Sequence, residues 1–134
     1  MDTLASLAAM SGSSQQLVNL ASAFLGGSVV LVIGTTHVSP NTLKARRIYL
    51  ILIASWGMLL WSMFSGDLVL RNYLAATVAK TPEKLVEIYS LANGSYQTQL
   101  DTMRLAVLFF SAWLVSYMIW WVFFRGSETG GIKQ

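Results

Sequence analysis

Between Asp2 and Lys44 the chain runs for 41 residues without a charged side chain. A helix needs only about 20 apolar residues to cross some 30 Å of hydrocarbon, and a water-soluble fold would struggle to keep a longer uncharged run in solution. The bilayer is therefore the expected solvent. Composition agrees, since 54% of the 134 residues are hydrophobic and 11% charged, against about 25% charged in an average soluble domain. With no Cys there is no disulfide and no thiolate chemistry. The first Lys or Arg is Lys44, so a cleaved secretory peptide with a positive n-region is not expected.

Three stretches reach spanning length, namely Leu17–Val38, Ile48–Gly66 and Leu105–Phe124. None alternates like a barrel strand, and a span must satisfy its backbone internally, so the expected class is all-α integral membrane, a single domain over 1–134. Nine residues, Ser39 to Arg47, separate the first two spans. Ser39-Pro40-Asn41 stops the first span and makes the pair an antiparallel hairpin.

The connection 67–104 is too long for a structureless loop and predicts a short amphipathic helix. Thr81-Pro82-Glu83 supplies its N-cap, first-turn proline and acid, and Asn93-Gly94 its stop. Leu85, Ile88, Tyr89 and Ala92 then share one face, with Glu83, Lys84, Glu87 and Ser90 on the other. Leu68–Lys80 has no breaker and can prolong the second span, as Gln97–Arg104 can lead into the third. The tail 126–134, with three Gly, reads as flexible.

Positive charge sets the expected orientation. The short first loop holds Lys44, Arg46 and Arg47 with no acid, and the C-terminal tail holds Arg125 and Lys133. The N-terminal tail has neither Lys nor Arg, whereas the long connection spreads Arg71, Lys80, Lys84 and Arg104 over 38 residues. The N-terminus is expected outside and the C-terminus inside.

Few residues carry chemistry. Ala23, Gly27 and Gly34 lie on one face of the first span, where small residues let helices approach closely; with Asn19, Ser22 and Thr36 nearby, the same face could instead line a pore. Phe109, Trp113, Tyr117, Trp121 and Phe124 form an aromatic stripe along the third span. Such a stripe packs against helices and lipid, or, through Trp113, Tyr117 and Trp121, receives a flat apolar cofactor such as a quinone, carotenoid or porphyrin. Trp120, Trp121, Phe123, Phe124 and Arg125 fit an interfacial belt. Asp67 and Arg71 are spaced as a helical ion pair at a span boundary. Lys44, Arg46 and Arg47 suit anionic lipid headgroups and are too few to suggest nucleic acid. His37, the sole histidine, has no acid or nucleophile at ligand spacing, so it fits an interfacial position, or a ring of copies in an oligomer. Asn93-Gly94-Ser95 matches a glycosylation acceptor, meaningful only in a eukaryotic secretory membrane.

No catalytic, metal or nucleotide motif is present, and no ionisable residue falls inside a span except His37 near the end of the first, which counts against pumps and ion-coupled transporters. The expected role is a non-catalytic accessory subunit of a larger membrane complex, in contact with lipids and with other subunits or copies of itself. The alternative is a homo-oligomeric pore. In size, three spans and orientation the chain resembles the three-span holins of phages, which implies assembly into membrane lesions.

Overall fold

A computed structural model describes residues 2–34 and 39–126. All regular structure among them is helical: α1 (Thr3–Ile33), α2 (Leu43–Arg46), α3 (Ile48–Thr77) and α4 (Pro82–Phe123). Three of these helices, α1, α3 extended through α2, and α4, are long and apolar enough to cross a membrane. Thr36, His37 and the tail from Ser127 onward lie outside the described residues.

The helices begin where local chemistry starts them. Asp2 caps α1, its Oδ1 accepting from Leu4 N at 3.3 Å. Thr81 precedes α4 and Pro82 occupies its first position, where no N–H is needed. At the other end of α1, Gly34 N donates to Val30 O at 2.7 Å. Before α2, Pro40 is buried and its carbonyl accepts from Arg46 Nε at 2.9 Å.

Helix ends differ from expectation in two places. The first helix starts at Thr3, fourteen residues before Leu17, and finishes at Ile33. More important, Asn93-Gly94 does not stop a short amphipathic helix. α4 runs through it as one helix of 42 residues, about 63 Å at 1.5 Å per residue. One internal glycine costs about 1 kcal/mol relative to alanine, whereas Ala92, Gln99, Met103 and Ala106 on either side are all buried. Tertiary packing of that face outweighs the local breaker.

Packing fixes the topology. Leu7 meets Ala76, Ile88 and Ala92 in one cluster, and Ala21 meets Leu59, Met103 and Ala106 in another. As numbering rises along α1 it falls along α3 and rises along α4, so α3 is antiparallel to both neighbours. The buried residues of α1 are Leu7, Ser14, Ala21 and Ser28, each seven apart. On α3 they include Leu52, Ser55, Leu59, Ser62, Gly66, Val69 and Ala76. On α4, Ala92, Gln99, Ala106, Trp113 and Trp120 again repeat every seven. A repeat of 3.5 residues per turn is the signature of left-handed coiled-coil packing.

Charge divides the bundle crosswise. α1 has no charged residue, α3 has none before Asp67, and α4 none after Arg104. One half is free of charge. The other half carries Asp67, Arg71, Glu83, Lys84, Glu87, Asp101 and Arg104.

Candidate functional site

Where the two halves meet, three helices are tied by one buried polar layer. Ser14 of α1 and Gln99 of α4 are 1% and 0% exposed. Ser14 Oγ donates to Gln99 Oε1 at 2.7 Å and lies 3.4 Å from Gly66 O on α3, while Gln99 Nε2 donates back to Ser14 O at 3.0 Å. Ser62 Oγ of α3 donates to Gln99 O at 3.0 Å. A buried amide without partners would cost about 1–3 kcal/mol; here its oxygen and nitrogen are both engaged. The space exists because residue 66 is glycine: a Cβ there would sit 2.5 Å from Gln99 Nε2 and 2.6 Å from Val18 Cγ2. The layer contains no titratable side chain, so its chemistry is helix locking rather than proton transfer.

Deeper in the charge-free half, side chains again bond to neighbouring helices. Ser55 Oγ donates to Ala106 O at 2.8 Å, and Trp56 Nε1 donates to Ser28 Oγ at 2.8 Å. Sequence reasoning did not single out Ser14, Ser55, Ser62 or Gln99. Their signal was the seven-residue spacing of Ser55 and Ser62, and of Gln99 with Ala92 and Ala106.

The aromatic residues split between two faces. Phe110, Trp113, Tyr117 and Trp120 form a chain of ring contacts, with centroids 5.5 to 5.7 Å apart, and Trp113 and Tyr117 are stacked. Phe24 of α1 meets Phe110 edge-on at 4.7 Å, and Tyr49 of α3 meets Trp113 at 6.0 Å. Trp113 is thus enclosed, at 1% exposure. Trp121 is not part of this column. Steps of four residues advance 400° and drift about 40° each, so by Trp121 the four-spaced stripe has turned outward. Trp121 lies on the surface beneath the Arg125 guanidinium, 5.3 Å from the ring centroid.

The small residues of α1 also face outward. Ala23 and Gly27 are exposed and edge an open groove of about 240 Å³ beside Phe24 and Phe110. A Cβ on Gly27 would meet nothing within 4 Å, and one on Gly34 would meet only Val30 of its own helix. Close approach within the chain comes instead from Ser14, Ala21 and Gly66, so packing of α1 against α3 and α4 does not use Ala23, Gly27 or Gly34.

Charged candidates sit at the periphery. Arg71 Nε lies 2.7 Å from Asp67 Oδ2, the side chains 72% and 46% exposed. Lys44, Arg46 and Arg47 are exposed, and Arg46 lines an open cavity of about 360 Å³ with Ser39 and Tyr49. Among the described residues no three His, Cys, Asp or Glu are grouped to hold a metal ion. The chain matches no family model, no characterised protein and no solved structure.

Proposed function

We propose that the chain is a non-catalytic subunit of a larger membrane assembly, crossing the bilayer three times with its N-terminus outside and its C-terminus inside. On this reading the charge-free half lies in hydrocarbon and the charged half projects beyond it. The observation that carries the proposal is the uncovered side of the α3–α4 pair. α1 packs on one side only. The opposite side is an open groove of about 340 Å³ where Trp61, Phe64, Leu68 and Leu91 alternate with Ser65, Ser90, Gly94, Ser95 and Thr98. Trp61, Phe64 and Leu91 are 57%, 55% and 56% exposed. Lipid accounts for Trp61 and Phe64, but Leu91 belongs to the charged half, where water would surround it. A groove that keeps an exposed leucine beyond that boundary, flanked by the small Ser90, Gly94 and Ser95, suits a neighbouring helix that also leaves the membrane.

Extraction of the full chain from its native membrane in mild detergent tests this reading. A protein should co-purify, and Leu91→Lys should weaken its retention about tenfold, a charge in an apolar contact being costly. Migration of the chain alone overturns the proposal. Orientation is read with an impermeant thiol reagent: Ser13→Cys should label from outside and Ser127→Cys should not.

A second reading, a homo-oligomeric pore, is favoured by the outward face of α1. There Asn19, Ser22, Gly26 and Gly27 are exposed although they belong to the charge-free half. Expression of the chain by itself separates the two. A pore depolarises or lyses a bacterium, whereas a subunit is nearly harmless.

A further inference from the structure

The charge asymmetry has its counterpart at the loop between α1 and α3. Among the described residues, Lys44, Arg46, Arg47 and Arg125 share this end of the bundle and no Asp or Glu does. Within that basic edge Arg46 is held differently from its neighbours. Its Nε is fixed on Pro40 O at 2.9 Å, and Pro40 is buried, so the root of the guanidinium is anchored to the loop. One of its five N–H donors is spent in this way, and four remain. No carboxylate among the described residues pairs with it. Arg46 lines the cavity of about 360 Å³ together with Ser39 and Tyr49, a volume at the lower end of the 300–1,000 Å³ or so of small-ligand sites.

We propose that this cavity is a discrete site for one phosphodiester headgroup of an anionic phospholipid. A planar guanidinium presents two parallel donors to a phosphate, Ser39 offers a hydroxyl, and the Tyr49 ring forms an apolar wall between headgroup and acyl region. The surrounding Lys44, Arg47 and Arg125 raise the local concentration of anions without defining the site. The source is lipid because the cavity lies at the end of the charge-free half, where Trp121 and Arg125 occupy the place of an interfacial belt. The inference requires the chain to sit in a bilayer but not to be a subunit of anything.

Native mass spectrometry of the full chain in detergent, titrated with phosphatidylglycerol, phosphatidylcholine or inorganic phosphate, tests it. One phosphatidylglycerol should be retained, about tenfold more tightly than phosphatidylcholine, and millimolar inorganic phosphate should not displace it. Arg46→Gln should remove the preference, and Ser39→Ala, which leaves the Arg46–Pro40 bond intact, should weaken binding about threefold. Lys44→Gln should change it less than Ser39→Ala does. Equal retention of the two lipids, equal loss in Lys44→Gln and Arg46→Gln, or no effect of Ser39→Ala overturns the proposal. Displacement by inorganic phosphate overturns the lipid as the source. Because the isolated chain is measured, none of these results bears on co-purification of a partner.

Discussion

The two halves of the bundle use the same helices and the same seven-residue repeat, yet one of them adds hydrogen bonds and ring contacts between helices that the other lacks among the described residues. In the charged half the shared layer is Leu7, Ala76, Ile88 and Ala92. The charge-free half has a matching apolar layer, Ala21, Leu59, Met103 and Ala106, but adds Ser55 bonded to Ala106 O, Trp56 bonded to Ser28, and the rings around Trp113. The difference follows from the solvent each half is read to occupy. In water, burying apolar side chains is itself a driving force. In hydrocarbon it is not, because lipid tails are as apolar as leucine, so helices associate through close packing and interhelical hydrogen bonds. The Ser14–Gly66–Gln99 layer stands at the change of regime and shares features of both.

The largest effects should come from deleting apolar volume on each side of that boundary. Leu7 and Leu59 are both 0% exposed. Leu7→Ala should cost about 3 kcal/mol, transfer and cavity terms together, whereas Leu59→Ala should cost about half, since truncation next to lipid forfeits contacts but little hydrophobic transfer. Reversible unfolding in mixed detergent micelles, followed by tryptophan fluorescence, gives both numbers. Equal costs would break the comparison and put both layers in one solvent.

Gly66→Val comes next. Its Cβ alone would crowd Gln99 Nε2 and Val18 Cγ2, and Gln99 cannot swing aside without giving up its bonds to Ser14. We expect about 2 kcal/mol, overpacking plus a disturbed hydrogen-bond layer. Gly57→Ala serves as the control, because a Cβ there meets nothing within 4 Å. A loss at position 57 as large as that at 66 would mean that the layer is not what joins the halves.

How much of this was legible in the sequence depends on the signal. Charge placement was legible: Asp67 and Arg104 mark where the charge-free stretches of α3 and α4 end, and Thr81-Pro82 marks where α4 begins. The inner face was not. A soluble helix shows its core as an apolar stripe, but a helix apolar all round shows none, and here the inner face is partly marked by its small polar residues, Ser14, Ser28, Ser55 and Ser62. Nor did the glycines tell the inner face from the outer one. Gly27 and Gly34 read as contact points and face outward, while Gly66, at the end of a span, makes the close approach. Asn93-Gly94 read as a stop because breakers act locally, and nothing local reveals that Gln99 will lock onto Ser14, 85 residues away.

Single hydrogen bonds should register less than volume changes even in the charge-free half. Ser55→Ala removes the donor to Ala106 O and should cost about 0.6 kcal/mol, the typical worth of a side-chain hydrogen bond between membrane helices. The freed carbonyl still holds its place in the α4 ladder, which keeps the penalty small. A cost above about 2 kcal/mol would mean that this bond, rather than packing, carries the α3–α4 contact.

The smallest effect is expected from the shortest ionic contact, Asp67–Arg71 at 2.7 Å. Its two side chains stay substantially in solvent, so Coulomb attraction is screened and two flexible chains must be ordered to gain it. Asp67→Asn should cost about 0.3–0.5 kcal/mol at low salt, as for other pairs four apart on a helix, and the cost should fade as salt is raised. Micelle unfolding at two ionic strengths measures it. A larger, salt-independent cost would place Asp67 in hydrocarbon and move the boundary between the halves about a turn toward the charged end. The Ser14–Gly66–Gln99 layer would then belong wholly to the lipid regime, with its hydrogen bonds rather than its packing as the main tie among the three helices.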